Sequence, residues 1–462
     1  MSELKPEPGF SRRQVIRSLA GGSLLLPGLI GELLADGDPL APRPSHFRAR
    51  AKRVIFLFMT GGVSPMDSFD YKPKLIADAG KTMTANGPVI KGPRKLLGPQ
   101  WTFRPGGRCG TYVSDLFPHV RDCMDDVSLV RSMKSDHVDH FQSTLGIHTG
   151  SVSFARPSLG SWVSYGLGTL NRNLPSFVVI APKLPYAGTQ VFSNDFLPAY
   201  HQGTRVVPGP EPIPNLRRQD ESAQVQEKRL GLIDALNRRH LEGRASDPAL
   251  AARIKSFETA FGMQQEASDA FDLSQESDAT LGLYGLERGK STGFAWQCLV
   301  ARRLAERGVR FVELISGGSD SGNWDAHGGL KQGHGKLAKE VDQPIAGLLR
   351  DLKSRGMLDD TLVVWTTEFG RTPYEDAPDG RQHYEKAFSS WMAGGGVKGG
   401  SVYGKTDDYG AEIVEDECHV HDFHATILHL LGLDHTKLTY RHAGRDFRLT
   451  DVHGHVVREI LA

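Results

Sequence analysis

Short runs rich in apolar residues recur along the chain, and polar or glycine-rich segments separate them. The run from Val54 to Met59 contains no polar residue, so it predicts a strand that is buried on both faces, as in a parallel sheet. Runs that predict further strands cover residues 127–133, 177–180, 309–315, 361–366 and 389–393. Together they predict one large central sheet.

Helical patterns fill the segments between these runs. From 338 to 355, apolar residues recur every three or four positions, which predicts an amphipathic helix. A short helix is predicted from 423 to 431, where Gly432 would end it. Residues 220–305 lack strand signals and predict two to four helices. Because strand and helix alternate, the predicted fold class is α/β, with a largely parallel central sheet and helices on both faces.

The first residues predict an export signal. The segment Ser11-Arg12-Arg13-Gln14-Val15-Ile16-Arg17 resembles a twin-arginine signal, and a weakly apolar run follows it. That run is short and glycine-rich for a transmembrane helix, so we expect no transmembrane span in the mature chain. We expect residues 1–40 to be signal and linker, recognised by the twin-arginine export machinery, and the folded protein to be periplasmic or extracellular. The alternative is a disordered basic tail.

Length and charge limit the remaining possibilities. We expect residues 50–462 to form a single α/β domain, with 205–300 as a mainly helical insertion. The net charge of +1 provides no overall field, so no nucleic-acid partner is expected. None of the four cysteines forms a C-x-x-C pair, so a cysteine zinc site is not expected. Cys109 and Cys123 are close enough in sequence for a disulfide outside the cytoplasm.

Acidic and histidine side chains follow several predicted strands in the C-terminal third. They lie in the motifs Asn323-Trp324-Asp325-Ala326-His327, Thr366-Thr367-Glu368-Phe369-Gly370-Arg371 and Gly380-Arg381-Gln382-His383. The carboxyl ends of parallel strands meet at one edge of a sheet, so these side chains are expected to converge. Carboxylate oxygens and neutral imidazole nitrogens are the usual ligands of zinc and its first-row neighbours. The motifs therefore predict a metal site.

Each of these residues also has a structural alternative. Asp325 and His327 fit an exposed turn in a loop rich in Gly and Asn. Glu368 fits an ion pair with Arg371, three residues later. His383 fits a half-buried histidine with an internal hydrogen-bond partner.

The N-terminal half contributes further candidates. Asp67 follows the first predicted strand as a candidate metal ligand, and Ser64 as a candidate substrate contact or nucleophile, although both residue types also cap helices. If His140 opens a helix, the amide end of that helix would favour a bound anion such as phosphate or sulfate. Thr144 lies one turn later on the same face, and His140 itself is a candidate catalytic residue, as a metal ligand or a general acid.

Five segments of the chain fit a known sequence pattern, namely Phe58–Asp70, Pro157–Trp162, Trp324–His327, Glu368–Pro373 and Gly444–Phe447. In these segments the chain resembles the bacterial family called domain of unknown function fifteen-oh-one. That family is similar in fold to alkaline phosphatases, sulfatases and phosphopentomutases. The resemblance therefore implies an alkaline-phosphatase-like core.

In that wider superfamily, two metal ions lie at the carboxyl edge of the sheet. The resemblance implies a divalent metal, with one or two ions of zinc, calcium, magnesium or manganese. The implied ligands are Asp67, Asp325, His327, Glu368 and His383.

The residue at the usual nucleophile position differs from the superfamily pattern. Counted back from Thr149-Gly150, that position holds His140, so Ser64, Ser143 or Thr144 would replace the usual nucleophile. The resemblance implies a hydrolase of phosphate or sulfate esters, acting on a small-molecule or polysaccharide substrate. The alternative is a non-catalytic relative with a degenerate metal pocket, acting as an envelope binding or assembly protein.

Overall fold

The computed structural model describes residues 39–86, 89–214, 223–242 and 248–462. Within it, Pro42–Ala462 forms one compact unit. The predicted twin-arginine signal lies outside the described residues. Among the helices that are described, none combines the length and the apolar character needed to cross a membrane.

Two kinds of element build the compact unit. The strands, in chain order, are β1 (Arg53–Met59), β2 (Thr82–Asn86), β3 (Lys91–Lys95), β4 (Phe103–Gly106), β5 (Thr111–Ser114), β6 (Val127–Lys134), β7 (Phe177–Ile180), β8 (Thr204–Val206), β9 (Phe311–Ser316), β10 (Thr361–Thr366), β11 (Gly370–Glu375), β12 (Arg381–Tyr384), β13 (Phe388–Ala393), β14 (Ser401–Tyr403), β15 (Lys405–Thr406), β16 (Ile413–Glu415), β17 (Cys418–His419), β18 (Tyr440–His442) and β19 (Arg445–Phe447). The α-helices are α1 (Pro65–Ser68), α2 (Pro73–Ala77), α3 (Pro118–Arg121), α4 (His140–Thr149), α5 (Leu159–Leu167), α6 (Ala223–Glu242), α7 (Pro248–Phe271), α8 (Asp278–Tyr284), α9 (Gly293–Glu306), α10 (Leu330–Ser354) and α11 (Val420–Leu430).

The central sheet has nine strands, in the order β14-β6-β13-β10-β1-β9-β7-β8, with β17 also paired to β6. Among the described strands of this sheet, β13 runs antiparallel to its neighbours β10 and β6, and the other pairings are parallel. The predicted α/β class with a largely parallel sheet is therefore confirmed. The hairpin of β11 and β12 is inserted between β10 and β13 in the chain and pairs Arg371 with His383.

Strand β1 shows why the sheet is covered on both faces. Its residues alternate between two separate cores, with Ile55 and Leu57 in one and Phe56 and Phe58 in the other. Each of these side chains is at most 2% exposed. Burying one such side chain contributes about 1.5–3 kcal/mol, so a strand with apolar residues on both faces is most stable in the middle of the molecule.

The two predicted helices begin earlier than their apolar patterns. Helix α10 begins at Leu330, eight residues before the predicted start, directly after Gly329 in the left-handed conformation (φ 59°). Helix α11 begins at Val420 because His419 and Asp422 form a capping box there. Polar residues in a first turn carry no apolar periodicity, so the pattern alone places these starts too late.

The expected disulfide between Cys109 and Cys123 is not formed, and both residues are free thiols. Cys123 is buried, whereas Cys109 is exposed. Burial raises the pKa of the Cys123 thiol to about 11, which keeps it protonated at neutral pH.

Candidate metal centre

The candidate site lies where three adjacent strands end. Strands β9 and β10 flank β1 in parallel, so their carboxyl ends meet at one edge. The loop before His327 is fixed to β1 by a hydrogen bond from Trp324 N to Thr60 O of 2.8 Å. Gly61 permits this approach, because a Cβ atom there would lie 2.5 Å from Trp324 N. The sheet therefore brings residues from distant parts of the sequence to one place.

We call His140, Asp325, His327 and His383 the central cluster. His140, Asp325 and His383 each offer a ligand atom within 4.8 Å of those of the other two. His140 Nε2 lies 3.3 Å from Asp325 Oδ2, and His383 Nε2 lies 3.2 Å from Asp325 Oδ1. His327 Nε2 lies 3.1 Å from the same Oδ1. Three imidazoles thus surround one carboxylate.

The opposite ring nitrogen of each imidazole has an acceptor of its own. His140 Nδ1 lies 2.7 Å from Glu368 Oε1, and His327 Nδ1 lies 2.8 Å from Asp376 Oδ2. His383 Nδ1 lies 2.9 Å from the carbonyl oxygen of Val138, which can only accept. With a proton on Nδ1, a neutral ring has a free lone pair at Nε2, and the 2.9 Å between His327 Nε2 and His383 Nε2 then requires a shared proton or a cation.

The lone pairs of the central cluster make it suitable for a cation. Two or three imidazole nitrogens with one carboxylate form a typical donor set for zinc and its first-row neighbours. His140 Nε2 is buried and makes no hydrogen bond, and His327 and His383 bring their Nε2 atoms to 2.9 Å from each other. The residues present therefore fit a divalent metal.

Glu368, which the sequence predicts as a metal ligand, forms hydrogen bonds with both of its carboxylate oxygens. Its Oε1 atom accepts the Gly61 amide at 2.7 Å as well as the His140 ring, and its Oε2 accepts Thr367 Oγ1 at 3.0 Å. The carboxylate is fully buried. Glu368 contacts the central cluster through Nδ1 of His140.

Arg371 pairs with Asp325, not with Glu368. Its Nη2 lies 2.7 Å from Asp325 Oδ1. The guanidinium is buried and also donates to the carbonyl oxygens of Gly61 and Gly62. The ion pair considered for Glu368 is therefore not the observed one. Arg371 fixes the position of Asp325, and its positive charge opposes cation binding beside it.

The cluster changes the pKa values of its members in different directions. Burial alone would raise the pKa of Asp325, but the neighbouring imidazoles of His140, His327 and His383, with the charge of Arg371, hold it well below its usual range. Burial opposes protonation of His140, yet Asp325 and Glu368 raise its pKa. Burial lowers the pKa of His383.

An aromatic shell encloses the cluster. Tyr186 stacks on His140 with ring centroids 4.0 Å apart, and Phe369 lies 4.8 Å from His140 and 4.7 Å from His383. Burial, with the charges of Asp325 and Glu368, raises the pKa of Tyr186 to about 12. The phenol therefore stays protonated at neutral pH, and it can donate a hydrogen bond. The sequence offered one signal for Tyr186, which is that it follows β7 at the same sheet edge.

Asp67 does not belong to the central cluster. Its Oδ2 accepts Arg381 Nε at 2.7 Å and Ser64 Oγ at 2.6 Å, and its Oδ1 accepts the Gln100 amide at 2.7 Å. Asp67 is fully buried and lies in the short helix α1, where it pairs with Arg381. Both carboxylate oxygens of Asp67, an expected metal ligand, therefore accept hydrogen bonds, and the Ser64 hydroxyl donates one of them.

His140 opens helix α4, as expected. The cap residue is Asp139, whose side chain accepts the Phe141 amide at 2.9 Å. This carboxylate already occupies the amide end that was expected to bind an anion. Thr144 lies one turn later, and its buried hydroxyl has no hydrogen-bond partner. Ser143 donates its hydroxyl to His137 O at 2.5 Å.

The fold and the site define an α/β protein with a histidine and carboxylate centre at the carboxyl edge of its sheet. Residues 51–461 match the family model described as "Protein of unknown function (DUF1501)". The chain therefore belongs to this family, as its motifs predicted. No curated protein sequence matches the chain.

Several solved structures are similar over most of the chain. A protein in the alkaline phosphatase superfamily from Vibrio parahaemolyticus is 10% identical, with a TM-score of 0.37, covering 85% of this chain and 69% of that one. The lipoteichoic acid synthase LtaP from Listeria monocytogenes is 8% identical, with a TM-score of 0.36 and coverages of 89% and 79%. The PsFucS1 sulfatase from Pseudoalteromonas sp. is 12% identical, with a TM-score of 0.33 and coverages of 83% and 68%.

Proposed function

We propose that this protein is a metal-dependent hydrolase of phosphate or sulfate esters. One observation carries the proposal: three imidazole Nε2 atoms face one carboxylate, and each ring is held from behind by an acceptor at Nδ1. Such orientation of ligands from outside the cluster is typical of functional metal sites. His140, Asp325 and His383 would hold the ion, with His327 beside them. When bound, a divalent cation polarises an ester oxygen and lowers the pKa of a water molecule.

The residues around the ion would position the substrate and move protons. Asp325, and then Asp376, raise the pKa of His327, although burial opposes them. Its side chain is 38% exposed, more than that of His140 or His383. His327 can therefore hold a proton at Nε2 and give it to the leaving oxygen as a general acid.

The attacking group is better supplied by water than by a side chain. The Ser64 hydroxyl donates to Asp67, and the Ser143 hydroxyl donates to a backbone carbonyl. Thr144 keeps a free hydroxyl, but it is buried one turn below His140. A water attack would also explain why the usual nucleophile position can hold His140, which then serves as a ligand.

Metal content and turnover together test this proposal. We expect the purified protein to contain a first-row metal and to hydrolyse aryl phosphate or aryl sulfate esters until a chelator is added. Alanine at His383 should remove both the metal of the central cluster and the turnover, whereas alanine at the exposed His442 should change neither. Retention of the metal and full turnover in the His383 variant would exclude the central cluster as the site.

A second function is favoured by the pairing of Asp325 with Arg371. The carboxylate already has a buried cation 2.7 Å away, so the cluster is partly neutralised without a metal. A non-catalytic envelope protein with a degenerate pocket would keep this arrangement. Absence of turnover on both ester classes with zinc, calcium, magnesium and manganese, together with intact folding, would favour this function.

We also propose that the protein is exported in folded form through the twin-arginine route. The support is the paired Arg12-Arg13 before an apolar run. A reporter fused to residues 1–40 should reach the periplasm, and lysine at both arginines should retain it in the cytoplasm. Export of the double-lysine variant would contradict this route.

A further inference from the structure

A second group of histidines lies at the start of helix α11, and we call Asp136, His419 and His421 the N-cap cluster. Strand β17 runs parallel to the end of β6 and pairs His419 with Lys134. Asp136 lies two residues beyond Lys134, and its Oδ1 is 3.0 Å from His419 Nε2. Each of the three residues offers a ligand atom within 4.8 Å of those of the others.

His421 shows that this group is more than an ion pair. It is 7% exposed, and its buried Nδ1 atom has no hydrogen-bond partner. An unpaired nitrogen on a buried ring is unfavourable unless a ligand satisfies it. His421 and Asp136 also line the same small recess.

We propose that Asp136, His419 and His421 form a second cation site, suited to zinc or a similar first-row divalent metal. Two imidazoles and one carboxylate are a donor set that these metals prefer. Side chains of Asp136 and His419 are 55% and 22% exposed, so the site is open to solvent and would keep water ligands. The proposal does not depend on hydrolytic activity at the central cluster.

Cation binding at the N-cap cluster requires a change in the hydrogen bonds of His419. His419 Nδ1 accepts the His421 amide at 3.3 Å, so the proton of the neutral ring is on Nε2, which donates to Asp136. A cation at Nε2 requires the proton on Nδ1 and removes this long hydrogen bond. The positive end of the helix also opposes a cation, but Asp422 in the first turn and Asp136 supply compensating negative charge.

The position of the site gives it a structural role. A cation held by these three residues would join the segment after β6 to the first turn of α11. The segment after β6 leads directly into His140, and the carbonyl of Val138 orients His383. The cation would therefore stabilise the part of the chain that supplies one ligand of the central cluster and orients another.

Zinc titration of the metal-free full chain tests this site. We expect two ions to bind the wild type and one to bind a variant with Asp136→Asn and His421→Gln. The matched variant, with Asp325→Asn and His383→Gln, should also bind one ion, but at the other site. Affinity at the N-cap cluster should fall at least ~10-fold in the first variant, since even the loss of an outer partner costs that much. Unchanged zinc stoichiometry and affinity in that variant would overturn the proposal.

A second measurement needs no variant. Zinc should protect His419 and His421 of the wild type from diethyl pyrocarbonate, as read by mass spectrometry, and it should leave the exposed His442 reactive. Equal modification of His419 with and without saturating zinc would also overturn the proposal. Because this measurement reads the N-cap cluster alone, its result is separate from any result on ester hydrolysis.

Discussion

The central cluster and the N-cap cluster contain the same kinds of side chain but hold them differently. In the central cluster, each ring has an acceptor at Nδ1, and Nε2 faces Asp325. In the N-cap cluster, His419 uses Nδ1 to accept a backbone amide and Nε2 to donate to Asp136. Two clusters of the same residue types thus differ in the orientation of their ring protons, which decides which nitrogen can face a cation.

The largest effect is expected when Asp325 is removed from the central cluster. Alanine there leaves the buried Arg371 without its carboxylate, so the free energy of unfolding should fall by about 3 kcal/mol in urea with a chelator present. Alanine at the exposed Asp408, which pairs with Lys74, should leave stability unchanged. Equal stability of the two variants would show that Arg371 needs no partner.

A smaller effect is expected when the orientation of a ring is disturbed. Glu368→Gln replaces the carboxylate that holds His140 Nδ1 by a neutral amide of similar size. Zinc affinity of the central cluster should fall by about 10–100-fold, as measured by calorimetry, while the N-cap cluster keeps its affinity. Unchanged zinc affinity of the central cluster in this variant would show that the hydrogen bond at His140 Nδ1 does not prepare the cluster for a cation.

The buried residue His201, which belongs to neither cluster, should make the stability of the fold depend on pH. Burial, with the charge of Arg43, lowers the pKa of His201 to about 3. The unfolded chain binds a proton near its ordinary value of about 6.5, so stability falls as pH decreases below that value.

Between pH 6.5 and 5 this loss should be about 2 kcal/mol, since each pH unit contributes about 1.4 kcal/mol. His201→Asn should reduce the pH dependence of unfolding over this range by about this amount, and His442→Asn should not. A slope that His201→Asn leaves unchanged would mean that His201 is protonated in the folded protein.

The smallest effect is expected from the Tyr186 hydroxyl. Its oxygen accepts from Asn323 at 3.0 Å, while the ring stacks on His140. Tyr186→Phe keeps the stacking and removes one hydrogen bond, so stability should fall by about 1 kcal/mol in thermal unfolding. If this variant also lost turnover, the hydroxyl would be assigned to substrate binding.

The sheet was predictable because fully buried strands carry an unmistakable apolar pattern, as in Val54 to Met59. The parallel order also predicted that Asp325 lies at this edge. His383 reaches Asp325 from the hairpin of β11 and β12, outside the central sheet. The position of Asp67 was not predictable, because its pairing depends on Arg381, which lies far away in sequence. The same holds for Glu368, whose hydrogen bond to His140 joins residues far apart in sequence.

The N-cap cluster was not predicted from sequence, since strand β17 has only two residues and no apolar pattern. Helix starts were also placed too late, because capping by His419 and Asp422 is a side-chain effect. Sequence patterns record which faces are buried, but they do not record which hydrogen bonds orient a polar group.

The hairpin of β11 and β12 has a consequence for how this family can diversify. Residues 368–383 form one contiguous segment that supplies Glu368, Arg371, Asp376 and His383 to the centre. Exchange of this single segment would alter charge, ligand number and proton placement together, and it would leave the nine-stranded sheet intact. Grafting the segment between relatives is therefore a direct route to new chemistry on an unchanged scaffold.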